Sequence, residues 1–346
     1  MKEFTITSVE EGQRFDKYLI KLLPEAGKSF IYKMLRKKNI TLNNKKADGS
    51  EKIIAGDSVK IFFKDDTFDK FSGKADISLN MKNHLISDSS YKLDVQYENE
   101  DFLVVNKPSG MLSQKAAPDD ISINEFISAY ISDNNSASGF KPGICNRLDR
   151  NTSGLVVAGK TMYGLQTMSM AFHDRTLLKY YICIVKGCFN TSVKLSGYLK
   201  KDINKNISTI ISDEEYERED NRKKSEFSPI NTEFIPVISG QNMSLVKVHL
   251  ITGKPHQIRA HLMFTGFPVA GDHKYGDGQF NKYLSVNYGI KSQMLHAFQL
   301  IIPPEAYPKT EKDISISTLI PKEFVDVLKG EDIWRPGIQE DLEALR

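Results

Sequence analysis

The sequence predicts an α+β protein in which a large domain with a mixed, mostly antiparallel sheet follows a small module of two helices and then strands. Three observations predict it. The chain has 346 residues, more than one compact core usually holds. Two short N-terminal runs carry apolar residues at helical spacing before an alternating, strand-like stretch. From about residue 91 onward, strand-like and helix-like segments follow one another in alternation.

"RFDKYLIKLL" places Phe15, Tyr18, Leu19 and Leu22 on one helical face. "SFIYKMLRKKN" repeats the pattern with Phe30, Ile31, Met34 and Leu35, and Ser29 stands where an N-cap would. "ITLNNKKA" reads as a strand running into a polar turn, and in "AGDSVKIFF" the residues Val59, Ile61 and Phe63 alternate after an Ala-Gly-Asp turn. Between Lys33 and Lys46 lie six basic residues, Lys33, Arg36, Lys37, Lys38, Lys45 and Lys46, and no acidic one. Such a run is either a solvated helix face or a phosphate-reading surface.

Residues 65–90 are polar, lack sustained periodicity and read as a linker. A second domain, expected over residues 91–325 with a tail at 326–346, opens with "LDVQYENEDFLVVNKPSGMLSQ". There Phe102 to Val105 form a short apolar strand, and Lys107 at its end is either a phosphate contact or a turn lysine. Helix-like "ISINEFISAYI", strand-like "GLVVAGK", a helix from about Tyr163 to Phe172 and the strand "YYICIVKG" come next. The mixed-sign stretch at 213–226 reads as a surface loop or insertion. "SLVKVHLITG" returns to strand alternation, and "PHQIRAHLMFTG" reads as a helix with Pro255 suited to its first position.

Composition excludes more than it selects. A hydrophobic content of 40% and a charged content of 26% are ordinary globular values, and the net charge of +3 is weak. Cys145, Cys183 and Cys188 are odd in number and form no CxxC pair, which argues against a disulfide framework and a thiolate zinc site. No run approaches the roughly 18 apolar residues of a membrane helix, and the N-terminus has no apolar signal core, so a cytoplasmic protein without a membrane partner is expected. There is no GxGxxG after a strand, no P-loop and no metal-ligand cluster, so no cofactor is expected. His256 and His261, five residues apart, do not share the i, i+4 face of a zinc helix.

The motif "GICNRLDRNTSGLVVAGK", residues 143–160, sets Asp149 between Arg147 and Arg150 just ahead of an apolar strand. A carboxylate beside a guanidinium is held ionised, and in a dry pocket it serves as nucleophile or base. The alternative is a structural turn in which Asp149 accepts backbone N–H bonds and both arginines face solvent. Arg259, embedded in the helical run "HQIRAH", is a candidate long-range partner. In "KYYICIVKG", strand alternation sends only one of Tyr180 and Tyr181 into such a pocket. Gly253 and Lys254, ahead of Pro255, offer a possible anion site at a helix N-terminus.

An ordered set of motifs carries a resemblance. "YENEDFLVVNKPSGM", "NRLDRNTSGLVVAGK", "LLKYYICIVKG", "LITGKPHQIRAHLMFTGFPVAGDHKYG" and "LHAFQL" together resemble the RluA-type family of RNA pseudouridine synthases over most of residues 91–301. Residues 1–64 resemble an S4 RNA-binding domain. The whole is most similar to the S4-containing, RluC-like members that act on large-subunit ribosomal RNA. The resemblance implies isomerisation of uridine to pseudouridine: the N1–C1′ bond breaks, the uracil rotates, a C5–C1′ bond forms and the C5 proton is lost.

By the same resemblance Asp149 is the catalytic carboxylate, attacking the sugar or base or assisting elimination to a glycal-like species. Tyr181 packs on the flipped uracil and assists proton transfer, Arg259 pairs with Asp149, and Arg147 enters the RNA stack during base flipping. Lys33, Arg36, Lys37, Lys38, Lys45, Lys107 and Lys254 are expected on the RNA. Asn146 stands where the family commonly has His, and Lys254 where it has Arg, departures that bear on RNA placement. RNA is the expected partner and a monomer the expected state. Three other readings remain: a transfer RNA substrate, a non-catalytic ribosome-assembly protein, and a glycosidase-like hydrolase with Asp272 as second carboxylate.

Overall fold

The protein is described by a computed structural model, which covers residues 1–72, 91–117, 119–134, 140–202 and 206–345. The chain divides into two compact units. The first holds Met1–Val104, Gln114–Asn146 and Val157–Met170, and the second holds Val105–Ser113, Arg147–Val156 and Ala171–Arg346.

The first unit begins with a four-stranded antiparallel sheet of β1 (Lys2–Thr5), β2 (Ile40–Leu42), β3 (Lys45–Lys46) and β4 (Ser58–Ile61), ordered β1-β4-β2-β3. Helices α1 (Phe15–Leu22) and α2 (Lys28–Arg36) pack on its core. Phe15, Tyr18, Leu19, Leu22, Ile31, Met34 and Leu35 are buried, as their spacing predicts, together with Val59, Ile61 and Phe63. Asn43 and Asn44, both at positive φ, make the two-residue turn joining β2 to β3, a conformation that Asn tolerates and that matches strand twist. The turn leaves Lys45 and Lys46 exposed, and Lys33, Arg36, Lys37 and Lys38 are exposed as well.

Two local expectations are corrected here. Helix α2 starts one residue before Ser29, with Gly27 as N-cap and no side-chain cap bond. The segment read as linker opens with helix α3 (Asp65–Ser72), whose Phe68 is buried in the same core; the linker residues 73–90 lie outside the described residues. Further along the first unit come β5 (Val95–Glu98), the start of β6 (Phe102–Lys107), α4 (Ile123–Asn134), β7 (Gly143–Ile144), the end of β8 (Ser153–Gly159) and most of α5 (Met162–Asp174).

The second unit is built on an antiparallel run of β9 (Leu178–Lys186), β10 (Val193–Asp202), β11 (Ile207–Ile211), β12 (Ser228–Ser239), β13 (Met243–Leu250) and β14 (Leu295–Ile302), ordered β11-β10-β12-β13-β9-β14. β15 (Ile314–Ser317) pairs with β14, and Ser153 and Gly154 of β8 run parallel to it. The sheet is therefore mixed and mostly antiparallel, as the sequence predicts. Between β11 and β12 the stretch expected as loop forms two short exposed helices, α6 (Asp213–Arg218), closed by a Ser212–Glu215 capping box, and α7 (Asn221–Lys224).

Strand alternation sorts the apolar residues onto two faces. On one, Cys183, Val185, Val246, Val248 and Leu295 pack with Ile258 and Leu262 of α8 (Gln257–Phe264). On the other, Ile182, Ile184, Leu245 and Phe298 pack with α9 (Gly278–Tyr288), α10 (Lys322–Gly330) and α11 (Ile338–Ala344). Residues 326–345 are thus not a tail. Phe324, Val327 and Leu328 repeat at helical spacing and are buried with Ile338 and Leu342, and Lys247, fully buried, donates to the carbonyls of Leu342 and Leu345.

Gly154 is where β8 meets β14. Its φ is +112°, and a Cβ there would lie 2.2 Å from the carbonyl oxygen of Ala297. Gly154→Ala therefore forces adjacent strands apart at the root of the Asp149 loop. It is expected to lower unfolding stability by about 3 kcal/mol, measured by denaturant titration, whereas Gly12→Ala, with open space around it but φ +83°, should cost only about 1 kcal/mol.

Candidate active site

Asp149 sits in the segment Arg147–Thr152 that leads into β8, and its surroundings explain why a carboxylate lies between two arginines. Arg147 and Arg150 are both exposed, and Arg150 donates from Nε to the carbonyl of Gly110 at 3.1 Å. Neither is the partner of Asp149. Arg259 Nη1, 110 residues away in sequence, donates to Asp149 Oδ2 at 2.8 Å. Of the structural-turn alternative, the exposed arginines fit, but the Asp149 carboxylate is met by Arg259; the Thr152 amide donates to the main-chain carbonyl of Asp149 at 3.1 Å.

The segment is anchored from below. Leu148 is buried, and its backbone amide and carbonyl both bond to the Ser113 hydroxyl, at 3.0 and 2.9 Å. Lys107 has no exposed surface, and its Nζ donates to the carbonyls of Pro108, Met111 and Arg150 at 3.0, 2.8 and 3.0 Å. This corrects the expectation that Lys107 meets a phosphate: its three N–H groups are spent on backbone, one of them on the loop that carries Asp149. Burial draws its ammonium down to about 7, with the Asp149 charge opposing.

Arg259 is itself held in place by a carboxylate. Nε donates to Asp272 Oδ2 at 2.6 Å and Nη2 to Oδ1 at 2.8 Å, a two-pronged pair with no exposure on the Asp side. Asp272 Oδ1 also accepts from the amides of Lys274 and Tyr275, at 2.9 and 3.1 Å. Burial alone would raise the Asp272 carboxyl, but Arg259 and these amides outweigh it and hold it below the usual range. Asp272, the carboxylate considered for a hydrolase, is therefore consumed as an anchor. The Arg259 guanidinium, against the cost of burial, is pushed up by both carboxylates, and it lies 5.1 Å from the ring centroid of Tyr275.

The tyrosine pair separates onto opposite faces of the strand, as alternation predicts. Tyr180 lies on the face away from α8, its ring stacked on His249 at 4.8 Å with Lys247 Nζ 4.3 Å above it. Tyr181 packs on the α8 face, where burial and then the Asp149 charge raise its phenol well above its ordinary value. A buried phenol that senses the carboxylate stays protonated and available as a donor.

Helix α8 starts later than the sequence predicts, because His256 is its N-cap at φ +56° and Pro255 precedes it. The Lys254 amide is taken by Gln257 Oε1 at 3.0 Å, so the expected anion site at this helix N-terminus has lost a donor; the Lys254 side chain is half-exposed. His256 Nδ1 lies 2.9 Å from the Tyr275 hydroxyl, which accepts from the Ser208 amide at 2.6 Å, and His256 Nε2 is 4.0 Å from Asp149 Oδ2. Burial lowers His256, Asp149 opposes, and Arg259, Lys274 and Lys201 add to the lowering. Sequence reasoning does not single out Tyr275 and His256 for the site, although "GDHKYG" and "PHQIR" carry them.

The site is thus one carboxylate, 29% exposed, whose charge is met by a guanidinium that cannot turn away. The Asp272 anchor generates a testable expectation. Asp272→Asn should cost about 3–5 kcal/mol, because it leaves the buried guanidinium half-paired. Since the folded-state carboxyl is depressed below an unfolded value near 4, the contribution of Asp272 is fully present above that value and lost as pH falls through the lower one. Stability measured against pH should accordingly show an acid limb below about pH 4 that is weaker in the Asn variant.

Comparison with known proteins places this geometry in a family. Residues 101–263 match the family model described as RNA pseudouridylate synthase. An uncharacterized RNA pseudouridine synthase of Mycoplasma genitalium is 30% identical over 308 residues, covering 87% of this chain and 89% of the relative. The ribosomal large subunit pseudouridine synthases C of Pasteurella multocida and Escherichia coli are each 28% identical, covering 95% and 87% of this chain and 93% and 88% of theirs. Human RNA pseudouridylate synthase domain containing 4 shares the fold, with a TM-score of 0.56 at 20% identity over 70% of this chain and 94% of its own. With Asp149 and Arg259 both inside the matched region, the chain belongs to the RluA-type family of RNA pseudouridine synthases and is an enzyme that isomerises uridine in RNA.

Proposed function

We propose that the RNA is large-subunit ribosomal RNA and that Asp149, Tyr181 and Arg259 carry the reaction. The observation behind the chemical assignment is the 2.8 Å bond from Arg259 Nη1 to Asp149 Oδ2. It meets the carboxylate's charge and turns it to one side, with its other oxygen left for the substrate. In the reaction the N1–C1′ bond breaks, the freed uracil rotates, C5 bonds to C1′, and the C5 proton leaves while N1 gains one. Asp149 stabilises the sugar during that exchange, as nucleophile or as the group that assists elimination.

Tyr181 lies beside the carboxylate with a raised phenol, which suits a ring that packs on uracil and an O–H that moves a proton without ionising first. Arg147, exposed two residues before Asp149, fills the place of the uridine in the stack, offsetting the few kcal/mol that flipping costs. In the first unit, exposed Lys33, Arg36, Lys37, Lys38 and Lys45 form the phosphate-reading face of an S4-like domain, supplying affinity without sequence readout. The ribosomal assignment draws support from the names of the Pasteurella and Escherichia relatives, which cover most of this chain.

The test is tritium release from 5-tritiated uridine in a large-subunit ribosomal RNA transcript, with a transfer RNA transcript alongside. Wild type should release tritium from the ribosomal RNA and Asp149→Ala should fall to background at unchanged RNA affinity. Tyr181→Phe should retain base packing yet lose about 10²-fold or more in rate. Release from transfer RNA alone would reverse the substrate assignment, and free uracil in place of pseudouridine would reverse the chemistry.

A further inference from the structure

Lys179 precedes Tyr181 by two residues in β9, so both side chains leave the same face of the strand, about 6.6 Å apart along it. The residue is half-buried. Among the described residues no carboxylate, carbonyl or hydroxyl pairs with its ammonium. The carboxylate on a nearby strand, Glu233, is engaged with His249 Nδ1 at 3.4 Å. The groups whose charge Lys179 feels or is felt by are cationic or basic, Arg175 and His249. Burial, and then Arg175, draw the ammonium down to about 8, which still leaves it largely charged at neutral pH.

Burying an ammonium even partly without a counter-ion costs free energy, and a second cation beside it adds to the cost. The backbone keeps the position open: a Cβ on Gly253 would lie 3.8 Å from Lys179 Nζ, so the chain passes close to the ammonium with no side chain over it, and half-exposed Lys254 follows. An unpaired cation, a neighbouring arginine, an adjoining lysine and a bare glycine together describe a preformed seat for an anion. Its position on the Tyr181 face identifies that anion by chemistry.

We propose that Lys179, flanked by Arg175 and Lys254, binds a backbone phosphate of the RNA next to the uridine presented to Asp149 and Tyr181. This rests on the assignment of those two residues to the chemistry. Lys179 is then a positioning residue: it fixes the strand on either side of the flipped nucleotide and does not enter the bond exchange.

The test uses the full chain and the same ribosomal RNA transcript, reading RNA affinity against salt by fluorescence anisotropy and turnover by tritium release. Lys179→Gln should raise KM about tenfold, keep kcat within about twofold, and reduce the slope of log K against log salt by about one. Lys179→Arg should restore all three. Gly253→Asp, which sets a carboxylate against the ammonium, should reproduce the Gln variant with Lys179 intact. Wild-type KM and salt slope in Lys179→Gln would overturn the phosphate site, as would an Arg variant as impaired as Gln, which marks a packing role. Absence of tritium release from wild type is a separate failure, that of the chemical assignment, because the salt slope is read from binding alone.

Discussion

The architecture of the site depends on one guanidinium whose donors are divided between two carboxylates. Arg259 gives two N–H groups to Asp272 and one to Asp149. The first pair is fully buried, and ion pairs of that kind contribute little net stability because desolvation offsets the attraction. Its effect is geometric. Anchored by Asp272, which is locked in turn by the amides of Lys274 and Tyr275, the guanidinium has one orientation, and its remaining edge defines where the Asp149 carboxylate sits. Lysine could supply the charge but not the planar fork that serves two partners at once.

The other half of the constraint is the Asp149 segment. It has no regular structure of its own between Arg147 and β8, so its shape comes from outside: the Ser113 hydroxyl on Leu148, the Lys107 ammonium on Arg150, and the close parallel contact of Gly154 with Ala297. Each is a short-range contact to backbone, and each removes conformational freedom from the segment that carries Asp149. Buried Lys107 is the costliest of these devices, since its ammonium is taken out of water to hold three carbonyls.

Much of this is legible in the sequence, and what is not has physical reasons. Asp149 and Arg259 are legible in the motifs, and the structure joins them by a 2.8 Å bond; alternation separates Tyr180 from Tyr181, and Tyr181 packs on the α8 face. The helical pairs and alternating strands of the first unit are visible because apolar spacing reports burial directly. Lys107 is misread from sequence because a lysine at a strand end looks alike whether its ammonium meets water, phosphate or three carbonyls. Asp272 looks like a spare carboxylate because its bonds to a residue 13 positions back depend on tertiary geometry. The C-terminal helices escape notice for want of long periodic runs: α10 has only Phe324, Val327 and Leu328 to mark it, and their burial comes from the sheet they cover.

The most direct test of the central claim is the single-turnover rate of pseudouridine formation by Arg259→Lys on saturating RNA, beside wild type. The variant keeps the positive charge but cannot hold Asp272 with two prongs while reaching Asp149. If the divided guanidinium sets the carboxylate, the rate falls by about 10²-fold or more while RNA affinity is unchanged. A rate within a few-fold of wild type would show that charge alone suffices and that the fork between Asp272 and Asp149 does not position the reaction.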